Sequence, residues 1–111
     1  MRLIIFLALG LFILNACSKN NPYTANPEAI KAGAVLYKNN CERCHGPEGS
    51  GGVCPNLTDG KWIYGGSDRD IFKSISSGRP GGMPAWKGIL KKEEIWKIIA
   101  YIRTLEKIRS N

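Results

Sequence analysis

The sequence predicts an all-α protein in which three main helices are separated by long glycine-rich loops. Residues 27–39, 67–78 and 92–108 carry apolar side chains at the three-to-four-residue spacing of a helix. No stretch alternates β-branched and polar residues as a half-buried strand would. With 111 residues in all, the chain has room for one domain.

The first segment of the chain has the pattern of an export signal. Leu3 to Leu14 is almost entirely apolar, too short to span a bilayer permanently but typical of the central part of a signal peptide. It ends in Leu14-Asn15-Ala16-Cys17, which resembles the lipoprotein box of bacteria, where cleavage before the cysteine is followed by acylation of its thiol. We expect a signal peptide over residues 1–16 and lipid on Cys17, which would anchor the protein to a membrane on the periplasmic or extracytoplasmic side. An uncleaved signal anchor, or cleavage nearby that leaves a bare Cys17 thiol, is the alternative.

The stretch after the lipid site is polar and contains a proline, so residues 17–27 are expected to be the lipidated cysteine and a flexible tether. The domain then covers residues 28–111.

The formal net charge of +7 falls by one when Arg2 leaves with the signal peptide. Such a basic domain favours acidic partner proteins or an anionic membrane surface. It does not favour nucleic acid, because acidic residues are interspersed and no arginine-rich tract is present.

The motif Cys41-Glu42-Arg43-Cys44-His45 is the most informative stretch of the chain. Two cysteines two residues apart, followed at once by histidine, form the attachment signature of a c-type haem. The spacing lets both thiols reach the porphyrin while the next side chain turns its imidazole to the iron, and His45 is the only histidine. A dithiol redox pair, half of a zinc site or part of a disulfide framework would also use such cysteines. Cys54 then has no assigned partner and is expected to be a small buried hydrophobic residue.

These residues resemble the class I cytochrome c family, and the resemblance implies their roles. Cys41 and Cys44 would hold one haem c covalently, and His45 would be the proximal ligand of its iron. The segment Cys54-Pro55-Asn56-Leu57 is similar to the family's Gly-Pro-x-Leu segment, in which the proline carbonyl accepts the imidazole N–H. Trp62 corresponds to a tryptophan that donates to a haem propionate in relatives. The alternative is that Trp62 is an ordinary core residue.

A second loop is similar to the family segment that supplies the other iron ligand. It reads Gly81-Gly82-Met83-Pro84, and Met83 is the only methionine once Met1 is removed. The glycines allow the backbone to approach a flat ligand, and the proline stiffens the loop. By resemblance Met83 is the sixth ligand.

Two further positions match the crossing of the first and last helices in the family. Gly33 and Tyr37 would meet Ile98 and Tyr101 there, which accounts for a glycine in the middle of a helix.

An iron with histidine and methionine as its two axial ligands implies a one-electron carrier, not an enzyme. The family implies a respiratory or dehydrogenase-linked chain, in which redox proteins are the partners. The alternative is a gas sensor or a peroxidase-like enzyme, which would require a displaceable sixth ligand.

Overall fold

The computed structural model describes residues 21–110 and confirms the all-α fold. Its helices are α1 (Pro27–Asn40), α2 (Glu42–His45), α3 (Asp68–Ser77) and α4 (Lys92–Ser110), with one 3-10 turn at Pro47–Gly49. The three long helices are those that the sequence predicts, and α2 is an additional single turn. Over this part of the chain no strand forms, and only two isolated bridges occur, Arg79 with Met83 and Lys87 with Leu90.

Side chains at the helix starts satisfy backbone N–H groups that have no partner within the helix. Asn26 Oδ1 accepts from the Ala29 N–H at 3.1 Å before α1, and Ser67 Oγ accepts from the Asp70 N–H at 3.0 Å before α3. Ahead of α4 stands Lys91, which has no oxygen with which to cap. Instead, the Lys91 N–H donates to Glu94 Oε1 at 2.9 Å, which is one half of a capping box.

The predicted crossing of α1 and α4 is present. A methyl group added to Gly33 would lie 3.1 Å from the Ile98 nitrogen, so the two backbones are in contact at this point. One turn further along α1, the ring of Tyr37 packs on that of Tyr101, with centroids 5.4 Å apart and planes tilted by 55°. Only a residue without a side chain permits this approach.

The core lies where α3 and Tyr37 meet one face of α4. Its buried members are mostly isoleucines, and each contributes about 1.5–3 kcal/mol through removal of apolar surface from water. They are Tyr37, Ile71, Ile75, Ile95, Ile98, Ile99 and Ile102. Trp62, Met83 and Trp86 pack against this cluster from the loops and are only partly buried. The loops therefore depend on α3 and α4 for their positions.

The structure differs from the predicted flexible tether at residues 21–26, which fold onto the domain. Asn21 is only 4% exposed, and its side-chain N–H donates to the Trp96 carbonyl of α4. The polar composition that suggested flexibility supplies these hydrogen bonds instead. The signal peptide and Cys17 lie outside the described residues. Within residues 21–110, no helix combines the length and apolar character needed to cross a membrane.

Candidate haem-binding site

A cleft of about 560 Å³ brings together the residues that the sequence singles out for haem. Its wall includes Cys41, Cys44 and His45 on one side and Met83 on the loop that follows α3. Ile71, Ile75, Ile98 and Ile102 of the core, together with Leu57, Trp62 and Trp86, supply apolar surface. Pockets of this size and character are those that hold cofactors.

The cysteine and histidine motif is held in one helical turn at the end of α1. The N–H groups of Cys44 and His45 both donate to the Cys41 carbonyl, at 3.2 and 3.0 Å. The hydroxyl of Tyr37 donates to the Gly46 carbonyl at 2.7 Å, which fixes the chain directly after the histidine. Burial raises the pKa of Tyr37 to about 12, so this hydroxyl keeps its proton at neutral pH. The hydrogen bond from Tyr37 was not predicted from the sequence.

The orientation of His45 is set by Pro55. Its Nδ1 lies 2.9 Å from the Pro55 carbonyl oxygen. A carbonyl oxygen can only accept, so Nδ1 carries a proton, and in the neutral imidazole Nε2 then keeps its lone pair. A histidine in this tautomer is prepared to bind a metal through Nε2, and the bond to the carbonyl increases its basicity.

The loop that carries Met83 is closed by a hydrogen bond between two of its own residues and is fastened to α3 at its end. Near its start, the Arg79 N–H donates to the Met83 carbonyl at 3.1 Å. At its end, the Trp86 N–H donates to the Ile75 carbonyl at 3.0 Å. Gly81 and Gly82 between them have φ angles of +96° and +115°, which residues with a side chain rarely adopt. The loop therefore needs its glycines for its own conformation, and Met83 is held half-buried against the core.

The thiols of the cleft are free in the structure. Burial, and secondarily the neighbouring Cys44, raises the pKa of Cys41 to about 11. Cys54 is half-buried, and its N–H donates to the Cys44 carbonyl at 2.9 Å. Burial raises the pKa of Cys54, with a hydrogen bond to Cys44 as the second cause. Cys54 is thus less buried than predicted, because this residue also lines the cleft.

Trp62 lines the cleft, but its indole N–H is directed to a carboxylate of the protein. It donates to Glu106 Oε1 at 2.9 Å, and Arg103 holds the second oxygen of Glu106 at 3.0 Å. Arg103 also donates to Asp68 Oδ1 at 2.7 Å and to the Gly66 carbonyl. The propionate role of Trp62 stays a prediction, and in that role the indole would exchange one carboxylate acceptor for another.

The charge of Arg103 is secured by its partners. Burial alone would lower its pKa, but the hydrogen bonds to Asp68 and Glu106 raise the pKa overall. A guanidinium with three separate acceptors holds α3, α4 and the loop before α3 together. The pair of Arg103 and Glu106 has the i, i+3 spacing of neighbours on one helix face, which can be recognised in the sequence. Asp68 lies 35 residues before Arg103, so that contact cannot be recognised in this way.

Covalent haem fits the residues that are present. The cleft contains the thiols of Cys41 and Cys44, a histidine whose Nε2 is available, and the thioether of Met83, and these groups match the two attachment points and two iron ligands of haem c. Among residues 21–110, no group of three or more His, Cys, Asp or Glu side chains could hold a metal ion directly. Fold and site together define a small c-type cytochrome domain.

Comparison with known proteins assigns the family. The family model described as subunit III of cbb3-type cytochrome c oxidase matches residues 28–102, and the chain belongs to this cytochrome c family. Its cofactor is covalently bound haem c, and its class is that of electron-transfer proteins, not enzymes.

Two relatives illustrate the match in sequence. The FixP subunit of the cbb3-type oxidase of Azorhizobium caulinodans is 42% identical over 80 residues, which are 69% of this chain and 27% of FixP. The CcoP subunit of Cereibacter sphaeroides is 36% identical over 76 residues, which are 66% of this chain and 26% of CcoP. The chain thus spans about a quarter of the length of these relatives.

Solved structures share the fold. Cytochrome cL of Methylophaga aminisulfidivorans superposes with a TM-score of 0.75 at 32% identity, covering 82% of this chain and 61% of that one. Cytochrome c6 of the diatom Phaeodactylum tricornutum gives a TM-score of 0.61 at 27% identity, covering 71% of this chain and 95% of that one. These neighbours confirm the predicted cytochrome c fold.

Proposed function

We propose that this chain is a one-electron carrier in which Cys41 and Cys44 hold haem c through thioether bonds. His45 and Met83 would hold its iron. The haem supplies the ferric–ferrous couple, and a methionine ligand favours the ferrous state and so raises the reduction potential.

One observation carries this assignment: the Pro55 carbonyl fixes the His45 tautomer with Nε2 available, and Met83 lines the same cleft. With His45 and Met83 both bound to it, the iron would have no open position for oxygen or peroxide. Pro55 acts here by orienting the histidine, and Trp62 forms part of the wall around the haem.

The partners are proposed to be redox proteins with acidic docking surfaces, in a respiratory or dehydrogenase-linked chain. Among the described residues that line the cleft, the charged ones are Arg43, Lys61 and Arg79, and all three are positive. Arg79 also lies over the ring of Tyr64, with the guanidinium carbon 4.2 Å from the ring centroid. A positive cleft would steer an acidic partner toward the haem, and salt would weaken the effect. That relatives are subunits of a cbb3-type oxidase supports an oxidase as the acceptor.

The domain is proposed to be tethered to a membrane through acyl chains on Cys17. Several acyl chains are needed for stable anchoring, as in bacterial lipoproteins. Mass spectrometry of the protein from its native host should show Cys17 as an acylated N-terminal residue, and Cys17→Ser should block the processing. A mature N-terminus downstream of Cys17 without lipid would refute the anchor.

Covalent attachment is tested by denaturation. Protein made with the haem-attachment machinery should keep its colour in denaturant and in acidic organic solvent, whereas the variant Cys41→Ala with Cys44→Ala should release its haem or fail to accumulate. The control is Cys54→Ser, since the serine can still donate its backbone N–H to the Cys44 carbonyl. Wild-type protein that loses its haem under these conditions would refute the proposal.

Ligation by Met83 is tested by spectroscopy. The oxidised wild type should show the weak near-infrared sulfur-to-iron band. Met83→Ala should lose this band, bind carbon monoxide when reduced and have a lower reduction potential. Lys87→Ala, an exposed change just beyond the loop, should behave as the wild type. If the wild type lacks the band and binds carbon monoxide readily, a gas sensor or peroxidase is the better assignment.

A further inference from the structure

The segment before α1 is attached to the domain by a buried asparagine. Asn21 is 4% exposed, and every polar group of its side chain is used. Its Nδ2 donates to the Trp96 carbonyl, and its Oδ1 accepts from the Tyr23 N–H at 3.0 Å. The Asn21 backbone N–H donates to Asp68 Oδ2 at 3.2 Å. Leaving a buried amide without its hydrogen-bond partners costs about 1–3 kcal/mol of stability, so this attachment is not easily released.

The residues that follow Asn21 are folded as well. The Thr24 hydroxyl donates to the Asn21 carbonyl at 3.0 Å, and the Asn26 N–H donates to the Tyr23 carbonyl at 3.0 Å. The ammonium group of Lys97 lies 5.4 Å from the centroid of the Tyr23 ring. The chain is therefore held from Asn21 through to α1.

The length of chain between the lipid site and this attachment is short compared with the domain. Cys17 and Asn21 are four residues apart, and an extended chain of that length spans about 14 Å. Without the attachment, the chain would be free up to Pro27, and its reach would be about 35 Å. A domain of this size has a radius of gyration of about 12 Å, so it is roughly 30 Å across. A 35 Å tether lets the domain turn any face to the bilayer, whereas a 14 Å tether does not.

We propose that Asn21 is a latch that shortens the lipid tether and fixes the orientation of the domain on the bilayer. The proposal rests on the lipidation of Cys17 proposed above. The surface around Asn21, formed by Tyr23, Asp68 and Lys97, then lies against the lipid headgroups. None of these residues lines the haem cleft, so the cleft stays open to redox partners.

The test uses the haem of the lipidated protein as an internal marker of orientation. The full chain with its haem is reconstituted in oriented phosphatidylethanolamine and phosphatidylglycerol bilayers, and the polarised absorption of the haem is measured. The wild type should be dichroic. Inserting about six Gly and Ser residues between Lys19 and Asn20 lengthens the tether to roughly 35 Å and should make the absorption nearly isotropic. Asn21→Ala should have the same effect in weaker form.

Two controls make the result specific. Replacement of Ser18, Lys19 and Asn20 by other polar residues at the same length should leave the dichroism unchanged, as should Lys38→Ala on an exposed part of α1. The insertion leaves Asn21 intact, so it cannot act by unfolding the domain.

A lipidated wild type that is no more dichroic than the insertion variant would overturn the latch while leaving the anchor intact. A mature protein that carries no lipid and does not bind the bilayer would overturn both. These two failures are told apart by mass spectrometry of the reconstituted sample.

Discussion

Replacement of Gly33 by alanine tests whether the contact between α1 and α4 requires this residue to be glycine. The added methyl carbon would lie 2.5 Å from the Lys97 carbonyl carbon and 3.1 Å from the Ile98 nitrogen. Carbon atoms in favourable contact are about 3.5–4.0 Å apart, so the helices would have to separate by about 1 Å.

Two opposing effects decide the sign of the change. Alanine is favoured over glycine inside a helix by about 1 kcal/mol, which alone would stabilise the variant. Overpacking of a core costs about 1–3 kcal/mol. At Gly33 the obstructing atoms belong to the backbone of α4 and cannot rotate away, so the cost lies at or above the upper end of that range. We expect a net destabilisation of about 2 kcal/mol, equivalent to a Tm lower by roughly 8–16 °C.

The measurement is thermal unfolding of the haem-loaded protein, followed by far-ultraviolet circular dichroism. Lys31→Ala is the matched control, because it also introduces alanine on α1 but at an exposed position, and its effect should stay within about 0.5 kcal/mol. A Tm for Gly33→Ala equal to or above that of the wild type would show that the helices tolerate the methyl group, and the reasoning from the crossing would be wrong.

Three further changes test other contacts. Tyr37→Phe removes the 2.7 Å hydrogen bond to the Gly46 carbonyl and should lower the free energy of unfolding by about 1–2 kcal/mol in chemical denaturation. Because burial raises the pKa of Tyr37 from 10.0 to about 12, the wild type should lose stability as the pH rises through this window, and the variant should lose less. Arg103→Lys keeps the charge but not the three-way guanidinium geometry, so the Tm should fall, whereas an unchanged Tm would show that one charge is sufficient. Lys61→Glu should slow electron exchange with an acidic redox partner at low salt, and the difference from wild type should shrink as salt is added in stopped-flow measurements.

Much of the fold could be predicted because its signals are local. The cap at Asn26, the apolar spacing of α4 and the Cys41 to His45 motif are each contained in a few consecutive residues. The pairing of His45 with Pro55, ten residues apart, followed from a resemblance to a known segment and is present at 2.9 Å. The crossing at Gly33 was suggested by the cost of a glycine within a helix.

The remaining contacts join residues that are distant in the sequence. Asn21 bonds to residues 47 and 75 positions away, and nothing in a polar stretch distinguishes a buried asparagine from a solvated one. The indole N–H of Trp62 could donate a hydrogen bond to any nearby carboxylate. That Glu106 is the acceptor depends on how the loop folds against α4. Long-range polar pairing of this kind has no periodic pattern, so it could be found only in the structure.

The latch and the cleft are joined by one continuous set of polar contacts. Asp68 accepts from the Asn21 N–H with one carboxylate oxygen and from Arg103 with the other, at 3.2 and 2.7 Å. Arg103 in turn binds Glu106, which accepts from the indole of Trp62 in the cleft wall. Both ion pairs are largely shielded, with side chains 14–24% exposed. A domain tethered through Asn21 would therefore present its haem cleft in a defined direction, because the tether attachment and the cleft wall are braced by the same arginine.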